Sequence, residues 1–195
     1  MKLKDKIILI TGTGKGRGRF LAEELAKHGA IIAANDISPI NVEDVVAAIN
    51  KNGGKAKSYI EDVAKKVGAQ ALIKNVEDDF GSIDILINHA SVEPQVGLLK
   101  MDEWDWHRVL DVNMTGAFLM MQSVGRVMKE KGSGLIINLI AEPITSQEKE
   151  AGAFFASQAG LKELSNQMNR ELSPYQIKVI ALENANAVLS LLEVE

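Results

Sequence analysis

The sequence predicts an α/β fold, a doubly wound Rossmann-type parallel sheet of about six strands with helices on both faces, and three observations carry that expectation. Short apolar runs alternate with helix-period segments along nearly the whole chain. The first run, Lys6 to Ile10, is continuously apolar past its lysine, as expected for a strand covered on both faces. A glycine cluster joins the first run to the first helical segment. Six strands alternating with helices imply the order 3-2-1-4-5-6, with ligands outside the carboxyl ends of the strands.

The elements follow in order. Lys6 to Ile10 is the first strand. Phe20, Leu21, Ala22, Leu25 and Ala26 recur at helical spacing, and Gly29 stands where that helix stops. Ala30 to Ala34 is the second strand, ending at Asn35-Asp36. Asn41 with Asp44 resembles a capping box opening a helix through Val42, Val45, Val46 and Ile49, closed by Asn52-Gly53-Gly54. Lys55 to Ile60 is a third strand, and Ala64 to Phe80 a third helix ended by Gly81. Ile83 to Ile87 is the fourth strand. Asp102 caps a long amphipathic helix whose stripe includes Val109, Leu110, Ala117, Phe118, Met121 and Val124. Leu135 to Ile140 is the fifth strand, a helix from Gly152 to Leu172 is stopped by Pro174, and Ile177 to Leu182 is the sixth strand. No repeat or linker interrupts the pattern, so residues 1–195 read as one domain, a size that can bury a core without staples.

Composition excludes several classes of function. A net charge of −4 argues against a phosphate-backbone partner, which needs clustered Lys and Arg. With no cysteine there are neither disulfides nor thiolate metal sites, which fits a reducing compartment. The apolar stretch near the N-terminus is too short for a signal-peptide core, and nothing later approaches a membrane span. A cytoplasmic protein is the expectation. His28 and His107 fall in helical patterns as surface or packing residues, and no His, Asp and Glu cluster has metal spacing.

The turn reads Thr11-Gly12-Thr13-Gly14-Lys15-Gly16-Arg17-Gly18. Between a buried strand and a helix start, such a turn suits a pyrophosphate: close backbone approach forbids side chains, and the helix N-terminus favours an anion. Asp36, followed by Ile37, ends the second strand 18 residues past Gly18. A carboxylate there can accept from an adenosine ribose and repels a 2′-phosphate, which favours NAD(H) over NADP(H). Lys15 and Arg17 pull toward NADP(H).

With these residues in place, the chain resembles the short-chain dehydrogenases/reductases, in the style of the 3-oxoacyl-carrier-protein reductases, from about Lys4 to Leu182. Thr11 to Gly18 is similar to the family's T-G-x-x-x-G-x-G turn. Asp62-Val63 is similar to its adenine-contacting pair, and Asn88-His89-Ala90-Ser91 to its N-N-A-G motif after the fourth strand. The resemblance makes Gly12, Gly14, Lys15, Gly16, Arg17, Gly18, Asp36, Ile37, Asp62, Val63, Asn88 and Ala90 the candidate cofactor residues. Asn113 matches the helix asparagine of the family's catalytic set. Read blandly, Asp62 is a helix cap, Asn88 ties two strand ends, and His89 is a structural replacement for an asparagine.

The resemblance also implies a Ser, a Tyr and a Lys that pass a proton to or from the substrate oxygen. Here Ala141 stands at the serine, Phe154 at the tyrosine and Gln158 at the lysine. Tyr59 and Tyr175 both lie off that helix. Glu183-Asn184-Ala185-Asn186 stands where the family has a P-G turn that helps place the nicotinamide. The substrate-covering helices and last strand that follow in the family have no counterpart in the 195 residues. Polar candidates near this centre are Asn138, Glu142, Glu148, Glu150 and Ser157.

Three functions follow as expectations. One is a catalytically impaired family member that binds NAD(H), or only its adenosine half. Another is an oxidoreductase using a different proton donor such as Glu142 or water. The third is a structural subunit, since family members pair these helices with a neighbour's. That pairing implies a homodimer or homotetramer through the helices around 103–131 and 152–172. The methionines Met114, Met120, Met121 and Met128 then serve as core or interface packing.

Overall fold

The computed structural model describes residues 3–141 and 150–194. Its sheet is six-stranded with the order β3-β2-β1-β4-β5-β6 and all pairs parallel. The strands are β1 (Ile7–Thr11), β2 (Ile31–Asp36), β3 (Lys55–Ile60), β4 (Ile85–Asn88), β5 (Gly134–Leu139) and β6 (Ile177–Leu182). The helices are α1 (Gly16–Lys27), α2 (Pro39–Lys51), α3 (Lys66–Phe80), α4 (Glu103–Leu110), α5 (Ala117–Lys131), α6 (Gly152–Leu172) and α7 (Ala185–Leu191).

Alternate residues of each apolar run enter opposite cores, because successive side chains on a strand point to opposite faces. Ile7 and Leu9 of β1 join Leu86 and Ile136 under α3, α5 and α6. Ile8 and Ile10 join Ile85, Ile87 and Ile137 under α1, α2 and α7. The doubly wound class expected from the sequence is the one observed.

Several boundaries differ, each for a local reason. Helix α2 starts at Pro39, not at an Asn41 capping box. Proline pre-sets the dihedral for a first helical position, and no side-chain cap is needed. Helix α3 starts at Lys66, because Asp62 Oδ1 accepts the Ala64 amide and the Asp62 carbonyl accepts the Lys65 amide, making a turn first. Strand β4 starts at Ile85. The long helix is capped by Asp102 as expected, its Oδ1 2.7 Å from the Asp105 amide. It is interrupted, however, by a π-helical turn at Asp111–Gly116 between α4 and α5. Helix α7 was not foreseen; Asn184 Oδ1 caps it at the Ala187 amide, and Val188 and Leu192 bury its apolar side.

Below the sheet, Asp84 precedes β4 and staples neighbouring elements. Its carboxylate accepts the Ile7 amide at 2.9 Å, Lys6 Nζ at 3.2 Å, and Lys131 Nζ from the end of α5. Burial pushes its carboxyl up, but the bonds from Lys131, Ile7 and Lys6 together hold it below the ordinary carboxylate range. A depressed folded-state value means stability that is present above about pH 4 and lost as pH falls through the folded value. Urea unfolding at stepped pH should show Asp84→Asn less stable than wild type near neutrality. The gap should close on acidification, and a gap independent of pH would contradict the staple.

Candidate functional site

At the carboxyl ends of the strands, the glycine turn is held by its neighbours on both sides. Thr11 is buried, and its Oγ1 accepts the His89 and Ala90 amides, each at 3.1 Å. The Thr13 amide and hydroxyl both donate to the Asn35 carbonyl, at 3.0 and 3.1 Å. The Gly14 amide donates to Asp36 Oδ2 at 2.8 Å, while Asp36 Oδ1 accepts the Ser38 amide at 3.0 Å. From the other side His89 Nδ1 lies 3.0 Å from the Gly12 carbonyl. A carbonyl only accepts, so Nδ1 carries the proton.

Two glycines explain the motif physically. A Cβ on Gly18 would sit 2.2 Å from the Gly12 carbonyl oxygen and 2.6 Å from His89 Nδ1, so a side chain there would break the turn apart. Gly16 has φ +58°, and a Cβ there would meet nothing within 4 Å. Its surroundings are open space at the start of α1. The residue before it is Lys15, which cannot cap, and no side chain caps the helix. The first-turn amides and the positive end of the helix dipole are therefore left for an external anion, beside the exposed Lys15 and Arg17. The cradle fits a pyrophosphate.

The other candidate cofactor residues are dispersed around this cradle. Ile37 is 70% exposed, directly after Asp36. Val63 is buried, and Asp62 keeps one carboxylate oxygen out of its turn bond. Asn88 is buried and donates to Asn138 Oδ1 at 2.8 Å, tying β4 to β5; its own Oδ1 has no partner among the described residues.

Asn113 lies inside the π-helical turn, where the widened backbone aims its amide at the loop after β4. Its Oδ1 accepts the Val92 amide at 2.8 Å, and its Nδ2 donates to the Val92 carbonyl and to Ser157 Oγ, each at 3.0 Å. Ser157 Oγ in turn donates to the Phe154 carbonyl. One turn on, Gln158 Oε1 accepts the Ala141 amide at 3.0 Å. Phe154 is buried and stands edge-on to Phe155, ring centroids 5.3 Å apart. Ala141, Phe154 and Gln158 are thus bound to one another or packed away.

Other sequence candidates fall elsewhere. Asn138 is fully buried in the core, donating to Ser165 Oγ at 2.8 Å and Met121 Sδ at 3.1 Å, so it stabilises the sheet rather than facing a ligand. Glu150 is exposed beside Gly97, and Glu142 and Glu148 lie outside the described residues. His28 and His107 are exposed on α1's end and α4. Among the described residues no group of three His, Cys, Asp or Glu could hold a metal, and no helix is long and apolar enough to cross a membrane. The His89–Gly12 and Gln158–Ala141 bonds escaped the sequence, since neither is a pattern of neighbours.

Comparison with known proteins gives a consistent family. The sequence pattern of the family described as "short chain dehydrogenase" matches residues 6–187. A 2-dehydro-3-deoxy-D-gluconate 5-dehydrogenase from Formosa agariphila is 34% identical over 178 residues, covering 91% of this chain and 67% of the relative. The structure of an NAD+-bound xylitol dehydrogenase superposes with a TM-score of 0.88 at 30% identity, covering 94% of this chain and 71% of that one. A gluconate 5-dehydrogenase from Burkholderia cenocepacia, in complex with NADP and tartrate, superposes with a TM-score of 0.87 at 30% identity, over 93% and 71%.

The Asn113 clamp is directly testable. Asn113→Ala removes the side-chain partner of the Val92 amide and carbonyl, and losing hydrogen bonds to such half-buried groups costs about 1 kcal/mol. Unfolding stability should fall by about that much, and hydrogen exchange at the Val92 amide should accelerate. Unchanged exchange there would contradict the clamp.

Proposed function

The chain belongs to the short-chain dehydrogenase family, and on that premise we propose that it binds a nicotinamide dinucleotide, NAD(H) in preference to NADP(H), without the family's usual proton-transfer chemistry. When bound, such a cofactor supplies or accepts a hydride. The glycine turn from Gly12 to Gly18 would hold the pyrophosphate, and Asp36 would meet the adenosine ribose; each of its oxygens takes one backbone amide and keeps a further lone pair. A 2′-phosphate beside that carboxylate would be repelled. Asp62 and Val63 would flank the adenine, with Ile37 and Ala90 alongside.

The observation that carries the reading is the bond from the Ala141 amide to Gln158 Oε1. Proton transfer needs a titratable group of suitable pKa within reach of the reacting atom. Phe154 has no proton to give, and Gln158 has no charge with which to tune one. Ser157 has a hydroxyl, but it is fully buried with its proton committed to the Phe154 carbonyl. Asn113 is retained and acts as a clamp. Residues 1–195 would form one dinucleotide-binding unit, a reading supported by the single sheet that carries both the turn and this centre.

Two sets of experiments test this. Calorimetry should show NAD(H) binding at submillimolar concentration and more weakly for NADP(H); no binding of either at millimolar concentration would overturn it. Carbonyl reduction in a broad substrate screen should be silent for wild type. The triple variant Ala141→Ser, Phe154→Tyr, Gln158→Lys should gain about 10²-fold or more over wild type, the scale of general acid catalysis. Wild-type turnover matching the triple variant would favour another proton donor.

A second copy of this chain is proposed to cover the groove between α5 and α6. Its volume is about 450 Å³, and it is lined by Met114, Thr115, Phe118, Gly160, Glu163, Leu164 and Gln167. The stripe expected to serve an interface is largely used inside the chain: Val109, Ala117, Met121 and Val124 are buried, which leaves Leu110 and Phe118, and Phe118 lines the groove together with Met114. Light scattering should give a dimer or tetramer, and Phe118→Glu should shift it toward monomer. A monomeric wild type would contradict the proposal.

A further inference from the structure

His89 stands where the family resemblance places an asparagine, and an asparagine could also hold the turn. What distinguishes the histidine is that it titrates. Its ring reaches from the end of β4 across to the turn, Nδ1 at 3.0 Å from the Gly12 carbonyl, and it lies close under Gly18 at the start of α1. Nδ1 is held as a donor, so the lone pair of the neutral ring is on Nε2, which makes no hydrogen bond among the described residues. The charged groups acting on the ring are Arg17 at the start of α1 and Asp36 at the end of β2. From β1 and the turn after it the ring meets neutral backbone groups, at Thr11 and at the Gly12 carbonyl.

We propose that His89 is a positioning residue which couples dinucleotide binding to the uptake of one proton. The inference rests on the reading that the turn holds a pyrophosphate. In the free protein the ring is neutral at neutral pH, since burial pushes it below the usual histidine value and Arg17 adds to that, against the backbone bonds at Gly12 and Thr11 and the charge of Asp36. An anion seated at the turn brings negative charge to the amides above the ring and offsets Arg17. Both effects favour imidazolium. The proton comes from the buffer and adds to Nε2, while the Nδ1 bond to Gly12 is kept and becomes charge-assisted.

The sign follows from linkage. The bound-state value lies above the free-state one, so affinity is highest below both, falls as pH rises between them, and is flat above both. Calorimetric titration of NAD+ into the full chain, from about pH 5.5 to about pH 8, covers the histidine range. It should show about fivefold tighter binding at the acid end. Paired buffers of different ionisation enthalpy should report net proton uptake.

His89→Asn keeps a donor for the Gly12 carbonyl and should bind at all pH values with no slope and no uptake. In the wild type, imidazole NMR should show the His89 titration moving to higher pH when NAD+ is added. This reading needs no substitution. A flat wild-type profile, an unmoved His89 titration, or a slope that survives in His89→Asn would overturn the proposal while leaving dinucleotide binding intact. Absence of binding at every pH would overturn both.

Discussion

The bond from the Gly14 amide to the Asp36 carboxylate, 2.8 Å across the ends of β1 and β2, is the constraint around which the site is organised. It makes one residue do two jobs. Asp36 fixes the glycine turn through the backbone and presents its remaining lone pairs to whatever lies beside the turn. The Asn35 carbonyl, taking both donors of Thr13, and His89, donating to Gly12, hold the turn at two further points. A glycine-rich segment is entropically costly to order. Here the ordering is done in advance by three neighbouring segments, so a ligand does not have to supply it.

The carboxyl end of β5, along the same edge of the sheet, shows the reverse logic. A lysine and a tyrosine beside each other in a half-dry cleft are maintained by electrostatics: each shifts the other's proton affinity, and a charge removed from water needs a partner. Gln158 Oε1 accepts from the Ala141 backbone and Phe154 fills apolar space against Phe155. Neutral groups that satisfy one another need no substrate and no bound cofactor to be stable. Asn113, though retained, spends both ends of its amide on Val92 and Ser157. Under the proposed function, binding and proton transfer would rest on separate sets of contacts, and the first set could persist without the second.

Much of this was legible in the chain itself, and the reason is locality. The apolar runs, the glycine turn and Asp36 at the end of β2 are all patterns of near neighbours, and strand order follows from chirality rules once the alternation is seen. Contacts across the fold were not legible. His89 and Gly12 are 77 positions apart, and no spacing rule relates them. Asn138 reads as a polar residue near a reactive centre, yet it faces the core, because alternation along β5 sends it toward α5 and α6. The π-helical turn at Asn113 has no composition of its own. Helix α7 hides in a short run whose single cue, Asn184 as a cap, is too weak without the sheet it covers.

A structure of the chain with NAD+ bound would show whether the turn and the centre after β5 divide their roles in this way. The expected result places the pyrophosphate at the amides of Gly14 to Gly18 and the adenosine ribose on Asp36. It also leaves the nicotinamide with no side chain able to give or take a proton within hydrogen-bond reach of a substrate oxygen. A titratable side chain at that position, Glu142 among them, or a dinucleotide seated away from the turn, would contradict the account.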